Sequence, residues 1–235
     1  MTTRIASIVA CAMLMVTVSS PVSAQASPNH QVAPNNSQPY GMTYGQWNAR
    51  WWQWFFSVPA STNPGLATDG SVDCSVGQSG DVWFLAGSFQ SGGMFSRSCA
   101  VPAGKALFVP LINSWADNVC NSPPLTEDQL RAAAKSGVIP PAKLHASIDG
   151  RSQESSRAIS PVFSYTLPPS PDNVIFAAFG VSLPGDCWRS VTVTPAVADG
   201  FYIMLSPLTA GSHTVRFGGQ GPGITLDITY NLSVK

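Results

Sequence analysis

Nine short apolar runs, each closed by turn-forming residues, constrain this chain more than any other feature. They cover residues 82–85, 106–112, 144–148, 162–167, 174–181, 191–193, 201–205, 213–217 and 224–234. Pro102-Ala103-Gly104, Asp149-Gly150, Pro184-Gly185-Asp186, Asp199-Gly200 and Ala210-Gly211 fall between them. Such residues favour turns by supplying positive φ, a preset φ or a local side-chain hydrogen bond. In the last run Leu226, Ile228, Tyr230, Leu232 and Val234 alternate onto one face, the pattern of a half-buried antiparallel strand. Many short runs without regularly interleaved helices predict a mainly β fold, an antiparallel β-sandwich of jelly-roll type, rather than a parallel α/β sheet.

Two helices interrupt that pattern. Thr43 and Gln46 have capping-box spacing ahead of Trp47-Asn48-Ala49-Arg50-Trp51-Trp52-Gln53-Trp54-Phe55-Phe56, and Pro59 stops the segment. Trp47, Trp51 and Trp54 share one face, Phe55 widens it, and Trp52 with Phe56 forms a second apolar flank. A short helix apolar around most of its surface must be buried, here against a sheet. The second helix begins at the Thr126 cap, runs through Glu127 to Lys135 and stops at Gly137. Its acids lie in the first turn and its bases later, as the helix dipole favours.

Residues 1–24 read as a secretory signal, with Arg4 ahead of an apolar stretch and Val22-Ser23-Ala24 as the cleavage site. That apolar stretch is shorter than the ~20 residues of a membrane span. Residues 25–39, rich in Pro, Asn and Ser, read as a flexible leader. Residues 40–235 then form a single domain with a helical insertion at about 114–140, its roughly 210-residue mature chain being enough for one core. Export removes Cys11 and leaves Cys74, Cys99, Cys120 and Cys187, an even set suited to two disulfides in an oxidising compartment. Cys74–Cys99 flanks the 82–85 run and Cys120–Cys187 ties the insertion to a later strand, so these pairings are favoured among the three possible. Lys plus Arg and Asp plus Glu are 12 each. Without a basic stripe, nucleic-acid binding and a polybasic membrane anchor are not expected.

Several stretches together resemble a family of uncharacterised secreted bacterial proteins. They are Tyr44-Gly45-Gln46-Trp47 running into Arg50-Trp51-Trp52-Gln53-Trp54, and Cys74-Ser75-Val76-Gly77-Gln78-Ser79-Gly80 leading to Val82-Trp83-Phe84-Leu85-Ala86-Gly87. Cys99-Ala100-Val101-Pro102-Ala103-Gly104-Lys105 and His213-Thr214-Val215-Arg216-Phe217-Gly218-Gly219 complete the set. The resemblance implies a secreted single domain and transfers no catalytic residue.

Candidate chemistry is sparse. The tryptophan helix offers an aromatic platform, Trp51 or Trp54 stacking on a sugar ring with Arg50 and Gln53 bonding its hydroxyls, although aromatics at helical spacing more often pack a core. Arg50, set among tryptophans, needs a partner if buried: Asp117, Asp73 or a ligand carboxylate. Asn113, Trp115 and Asp117 follow an apolar strand, in a loop context where function tends to sit. His213 opens a strand after Gly211-Ser212, a place for a hydrogen bond to a loop carbonyl. His145 and Asp149 stand four apart on a strand, ~13 Å by strand rise, too far to share a metal. No zinc spacing, P-loop or dinucleotide fingerprint occurs, so neither a metal nor a cofactor is expected. Gly77-Gln78-Ser79-Gly80 lacks the spacing of a nucleophile elbow, and Gly218-Gly219-Gln220-Gly221-Pro222-Gly223 reads as a loop.

The leading expectation is therefore a secreted, extracellular or periplasmic, non-enzymatic module that binds a carbohydrate or cell-envelope component through Arg50, Trp51, Gln53, Trp54, Asn113 and Trp115. The alternatives are a secreted hydrolase of glycans or esters, with Asp117 and His213 as first suspects, and a structural envelope protein presenting a sheet edge.

Overall fold

The computed structural model describes residues 32–34, 36–119, 121–180 and 192–235. The expected signal segment, Cys11 and the expected Cys120–Cys187 pair lie outside the described residues. In chain order the elements are α1 (Tyr44–Ser57), β1 (Asp69–Ser71), β2 (Val82–Phe84), β3 (Met94–Val101), β4 (Ala106–Asp117), α2 (Glu127–Ser136), β5 (Ala142–Ile148), β6 (Arg151–Ser152), β7 (Ser156–Ile159), β8 (Phe163–Thr166), α3 (Val174–Phe179), β9 (Thr192–Leu205), β10 (Gly211–Gly221) and β11 (Ile224–Val234).

Two sheets pack face to face as a β-sandwich. One runs β2-β4-β9-β7, with β8 also paired to β9; the other runs β1-β3-β11-β10-β5-β6. Both are mixed rather than wholly antiparallel, because β1 with β3, β3 with β11 and β2 with β4 run parallel. β11 buries Leu226, Ile228, Tyr230, Leu232 and Val234, as its alternation requires.

The β4–β9 sheet is covered on both faces. Leu107, Val109 and Leu111 of β4, with Ile203 and Leu205 of β9, fill the core between the sheets. Ala106 and Phe108 of β4 and Ala196, Ala198, Tyr202 and Met204 of β9 pack with the aromatic side chains of α1 on the opposite face. A strand buried on both sides reads as a continuous apolar run, which is what residues 106–112 show. α1 is thus a third layer, and its all-round apolar surface follows from that position. Thr43 accepts from the Gln46 N–H, and the Gln46 side chain accepts from the Thr43 N–H at 2.8 Å. Asn48, fully buried, docks the helix by donating to Ala158 O at 3.0 Å and accepting from the Tyr202 hydroxyl at 2.6 Å.

Four local expectations change. Residues 174–179 form α3 rather than a strand, because the Asn173 side chain caps the Phe176 N–H at 2.9 Å. Asp199-Gly200 is no turn: β9 continues through it, with Asp199 ion-paired to Arg157 across to β7 and Gly200 pressed against Asn113. Gly218–Gly221 belong to β10, since a Cβ at Gly218 would lie 2.0 Å from Leu226 O and one at Gly219 would lie 2.7 Å from Leu144. The leader is tied down near its end, where the Ala33 N–H donates to Met204 O at 2.9 Å and Ala33 O accepts from the Tyr44 hydroxyl at 2.6 Å.

The Cys74–Cys99 disulfide is present, with Cα atoms 5.7 Å apart. No helix among the described residues is long and apolar enough to cross a membrane.

Candidate functional site

The expected platform residues separate onto different sides of α1. Trp51 and Trp54 are 1% and 6% exposed. Their indole N–H groups donate at 2.9 Å to Leu85 O and Val76 O, so Trp54 packs inward and Trp51 shows solvent almost none of its ring. Arg50 is exposed rather than buried, and its expected partners are elsewhere. Asp73 accepts from Ser75, which holds its carboxyl below the usual range, while Asp117 is enclosed behind Trp115. Arg50 and Gln53 instead line an open groove of about 700 Å³ between α1 and the segment around β8, with Gln46, Val162, Phe163 and Ser164. The polar groups of this groove are largely engaged: Gln46 closes the capping box and Gln53 donates to Ser164 O at 2.8 Å.

Asn113 and Trp115 lie within β4 rather than in a loop, and they lead to a second, more enclosed cleft of about 180 Å³. Its walls are Trp51, Trp52 and Phe55 from α1, Phe89 with Ser88 from the segment after β2, and Asn113, Ser114 and Trp115 from β4. Gly137, Pro222 and Ile224 close the rim. None of these side chains is charged. The aromatic wall is continuous: ring centroids lie 4.9 Å apart for Trp52–Trp115, 5.6 Å for Phe89–Trp115 and 5.5 Å for Phe55–Phe89. Gly137 ends α2 where any Cβ would fall 2.3 Å from the Ser114 hydroxyl, so only glycine lets α2 approach this rim.

Trp52 Nε1 and Asn113 Nδ2 are shut off from solvent and meet no partner at close hydrogen-bonding geometry. Both face the Tyr202 hydroxyl, which gives its own proton to Asn48 Oδ1 at 2.6 Å and so leaves its oxygen as the acceptor on their side. Burial pushes the Tyr202 hydroxyl well above the ordinary tyrosine range, and the Asn113 amide and Trp52 indole act in the opposite direction.

Trp115 is fixed from behind. Its indole N–H donates to Asp117 Oδ2 at 2.7 Å, the Tyr165 hydroxyl donates to the same oxygen at 2.7 Å, and the Val119 N–H donates to Asp117 Oδ1 at 2.9 Å. Burial, then the Asp117 charge, keeps Tyr165 protonated far beyond the usual range. Asp117 is a buried anchor at the end of β4. His213 lies in the other sheet, its Nδ1 2.8 Å from Asp149 Oδ2 and its Nε2 2.8 Å from Thr209 O. The two hydrolase suspects lie on different sheets, Asp117 at the end of β4 and His213 near the start of β10. His145 is set against Asp227, which Arg216 also grips and holds below the usual carboxylate range. Among the described residues no group of His, Cys, Asp and Glu could hold a metal ion.

Sequence reasoning placed Trp52 only on an apolar helix flank and missed Phe89, which lies outside every apolar run; the rings of both wall the cleft. It also missed Arg97, fully buried on β3. The signal for Arg97 was present, since Phe95, Cys99 and Val101 alternate inward and Arg97 falls on the same face. Compared with family models, curated proteins and solved structures, the chain finds no match, and the reading of the cleft rests on its own geometry.

Proposed function

We propose that this chain is an exported, non-enzymatic module that binds a carbohydrate or another neutral component of the cell envelope. The observation that carries the reading is the cleft at Trp52, Asn113 and Trp115: aromatic walls and an uncharged lining in which Ser88, Asn113 and Ser114 are the few polar side chains beside the tryptophans. Binding sites are typically concave, mainly apolar and furnished with a few convergent polar groups. A sugar suits such a lining because its C–H faces stack on aromatic rings while its oxygens accept hydrogen bonds. The ligand surface thus moves from the outward helix face, where Arg50 and Gln53 lie, to a concave site between α1 and β4.

The test is to incubate the protein with insoluble and soluble polysaccharides and simple esters, following depletion from solution and release of product together. Depletion without product is the expected result, reduced at least tenfold in Phe89→Ala, with near-UV and far-UV circular dichroism confirming that the variant is folded. Product release by the wild-type protein would make it a hydrolase, and capture unaffected by Phe89→Ala would place the ligand elsewhere.

A further inference from the structure

Trp83 stands on β2, the last strand of its sheet, opposite Leu107 of β4 in a parallel register. Paired residues share a face, so both side chains take the side that meets the other sheet. Leu107 is fully covered there, whereas Trp83, at the edge, is only half-buried. It packs partly on the core between the sheets and borders an open groove of about 600 Å³, with Val72, Val101 and Pro102 as further apolar lining. The indole N–H groups of Trp47, Trp51, Trp54 and Trp115 each donate within the fold, and that of Trp83 has no such partner among the described residues. We infer that this groove is a second binding site, which takes a linear neutral glycan with one sugar stacked on Trp83. It shares no lining residue with the cleft at Trp115 and goes beyond it, since that cleft is enclosed and this groove is open at its ends.

The groove is preformed. The Cys74–Cys99 disulfide lines it and clamps the segment carrying Asp73 to β3, so little ordering entropy remains to be lost on binding. Ser75 donates to Asp73 Oδ1 through its N–H at 2.8 Å and its hydroxyl at 2.6 Å, which leaves Oδ2 to accept from a sugar hydroxyl. The volume equals roughly twenty waters at ~30 Å³ each, the space of a short oligosaccharide rather than one ring.

The same groove runs on. A neighbouring stretch of about 450 Å³ shares Ser71, Cys99, Ala100 and Lys235 with it and crosses the outer face of β3, β11 and β10. The strand registers put Ser71, Ser98, Asn231 and Thr214 in one row across four strands. At ~4.8 Å between strands the row spans roughly 14 Å. All four are exposed, and each carries a hydroxyl or amide that can both donate and accept, as a sugar hydroxyl does. The charges along the groove are Asp73 and Lys235, one of each sign, while His213 turns inward to Asp149 and Thr209. A nucleic acid or an acidic glycan would meet a single cation, so the match is to an uncharged chain. Open and solvated, the groove grips each sugar weakly, and capture of an insoluble polysaccharide by dilute protein then depends on groove and cleft together.

The experiment titrates cellotetraose, chitotetraose and mannotetraose, each against its monosaccharide, into the intact protein by calorimetry and NMR. At least one tetrasaccharide is expected to bind tenfold or more tightly than its monomer. Trp83→Ala should weaken it at least tenfold, and Phe89→Ala should change it less than twofold. Ser98→Glu, at an exposed position on the outer face, sets a charge across the row and should weaken it at least threefold even where loss of Trp83 opens the edge of the core. Circular dichroism checks that each variant is folded. Tetrasaccharides no tighter than their monomers, or an affinity that survives both Trp83→Ala and Ser98→Glu, would overturn the groove; if Phe89→Ala removes that affinity instead, the cleft stands without it. Binding of none of the sugars by natively folded protein would overturn the groove and the carbohydrate reading of the cleft alike.

Discussion

Arg97 is the sharpest test of how this sandwich is held together. It is 0% exposed and meets no carboxylate among the described residues. Its Nε donates to Ala67 O at 2.9 Å, and its Nη1 reaches Ala86 O, Gly87 O and the Tyr230 hydroxyl at 2.9–3.0 Å. The guanidinium also lies 5.5 Å from the centroid of the Tyr230 ring. One side chain therefore joins the chain before β1, the segment after β2, and β11. In Arg97→Met the apolar stem is kept and the fork is lost. Gly87 O would then be buried, and Ala67 O half-buried, without these donors, at up to about 1–3 kcal/mol each, while Ala86 O keeps the Tyr230 hydroxyl at 3.2 Å. Against that total of about 2–6 kcal/mol stands the relief of removing a buried charge, which in some proteins makes an apolar replacement stabilising. The carbonyls should win, because several fixed acceptors already replace the water this cation gave up, so the net loss is about 2–4 kcal/mol. With a urea slope of ~2 kcal/mol per molar, the unfolding midpoint should fall by roughly 1–2 M. A Met variant as stable as wild type would show that the guanidinium is no net support, and would refute the assignment of these loops' carbonyls to it.

Gly45→Ala sets two effects against each other: alanine favours helix by about 1 kcal/mol, but a Cβ there would lie 2.3 Å from Ile159 O. The clash with backbone should dominate, giving a net loss of about 1–3 kcal/mol in a denaturation curve. Reducing Cys74–Cys99, whose partners are 25 residues apart, should cost roughly 3–4 kcal/mol by chain entropy, read as a lower midpoint with dithiothreitol. Alkaline titration should leave buried tyrosines silent while the fold lasts. Burial, partly opposed by the Met204 N–H, raises Tyr44 to about 12 from 10. A group harder to deprotonate when folded contributes stability that is complete below pH 10 and is lost as pH rises toward 12. In Tyr44→Phe, stability should fall less steeply over that range.

Much of the fold was legible because burial on both faces leaves an unmistakable trace. Residues 106–112 are apolar throughout because both faces of that strand are covered, and the Trp47–Phe56 segment, which keeps Arg50 and Gln53 on its outward side, is apolar over most of its surface because it packs on the β4–β9 sheet. The 224–234 alternation was legible because one of its faces meets the opposite sheet. What failed was local chemistry overridden by long-range packing. Asp199-Gly200 has the composition of a turn, yet the Arg157 partner and the closeness of Asn113 keep it extended. Residues 174–179 have a strand's composition and a helix's cap in Asn173. β3 was overlooked because its inward face carries an arginine where a run of hydrophobics would have announced it.

The site followed the same logic. A tryptophan stripe suggests a platform only if one ring face is left over, and in this chain the segments on either side of β2 take the indole N–H groups of Trp51 and Trp54, at Leu85 O and Val76 O. Trp52 packs its ring against Phe56 and Trp115 and turns its Nε1 toward the Tyr202 hydroxyl, which the Asn113 amide faces from the other element. That pairing cannot be read from spacing along one helix, because the second donor comes from a strand 61 positions later, brought there by the docking of α1 on β4. Trp52→Phe removes the indole N–H together with part of a buried ring, so it should cost about 1–3 kcal/mol in a denaturation curve, and a variant as stable as wild type would refute the structural role of the Trp52–Tyr202 contact.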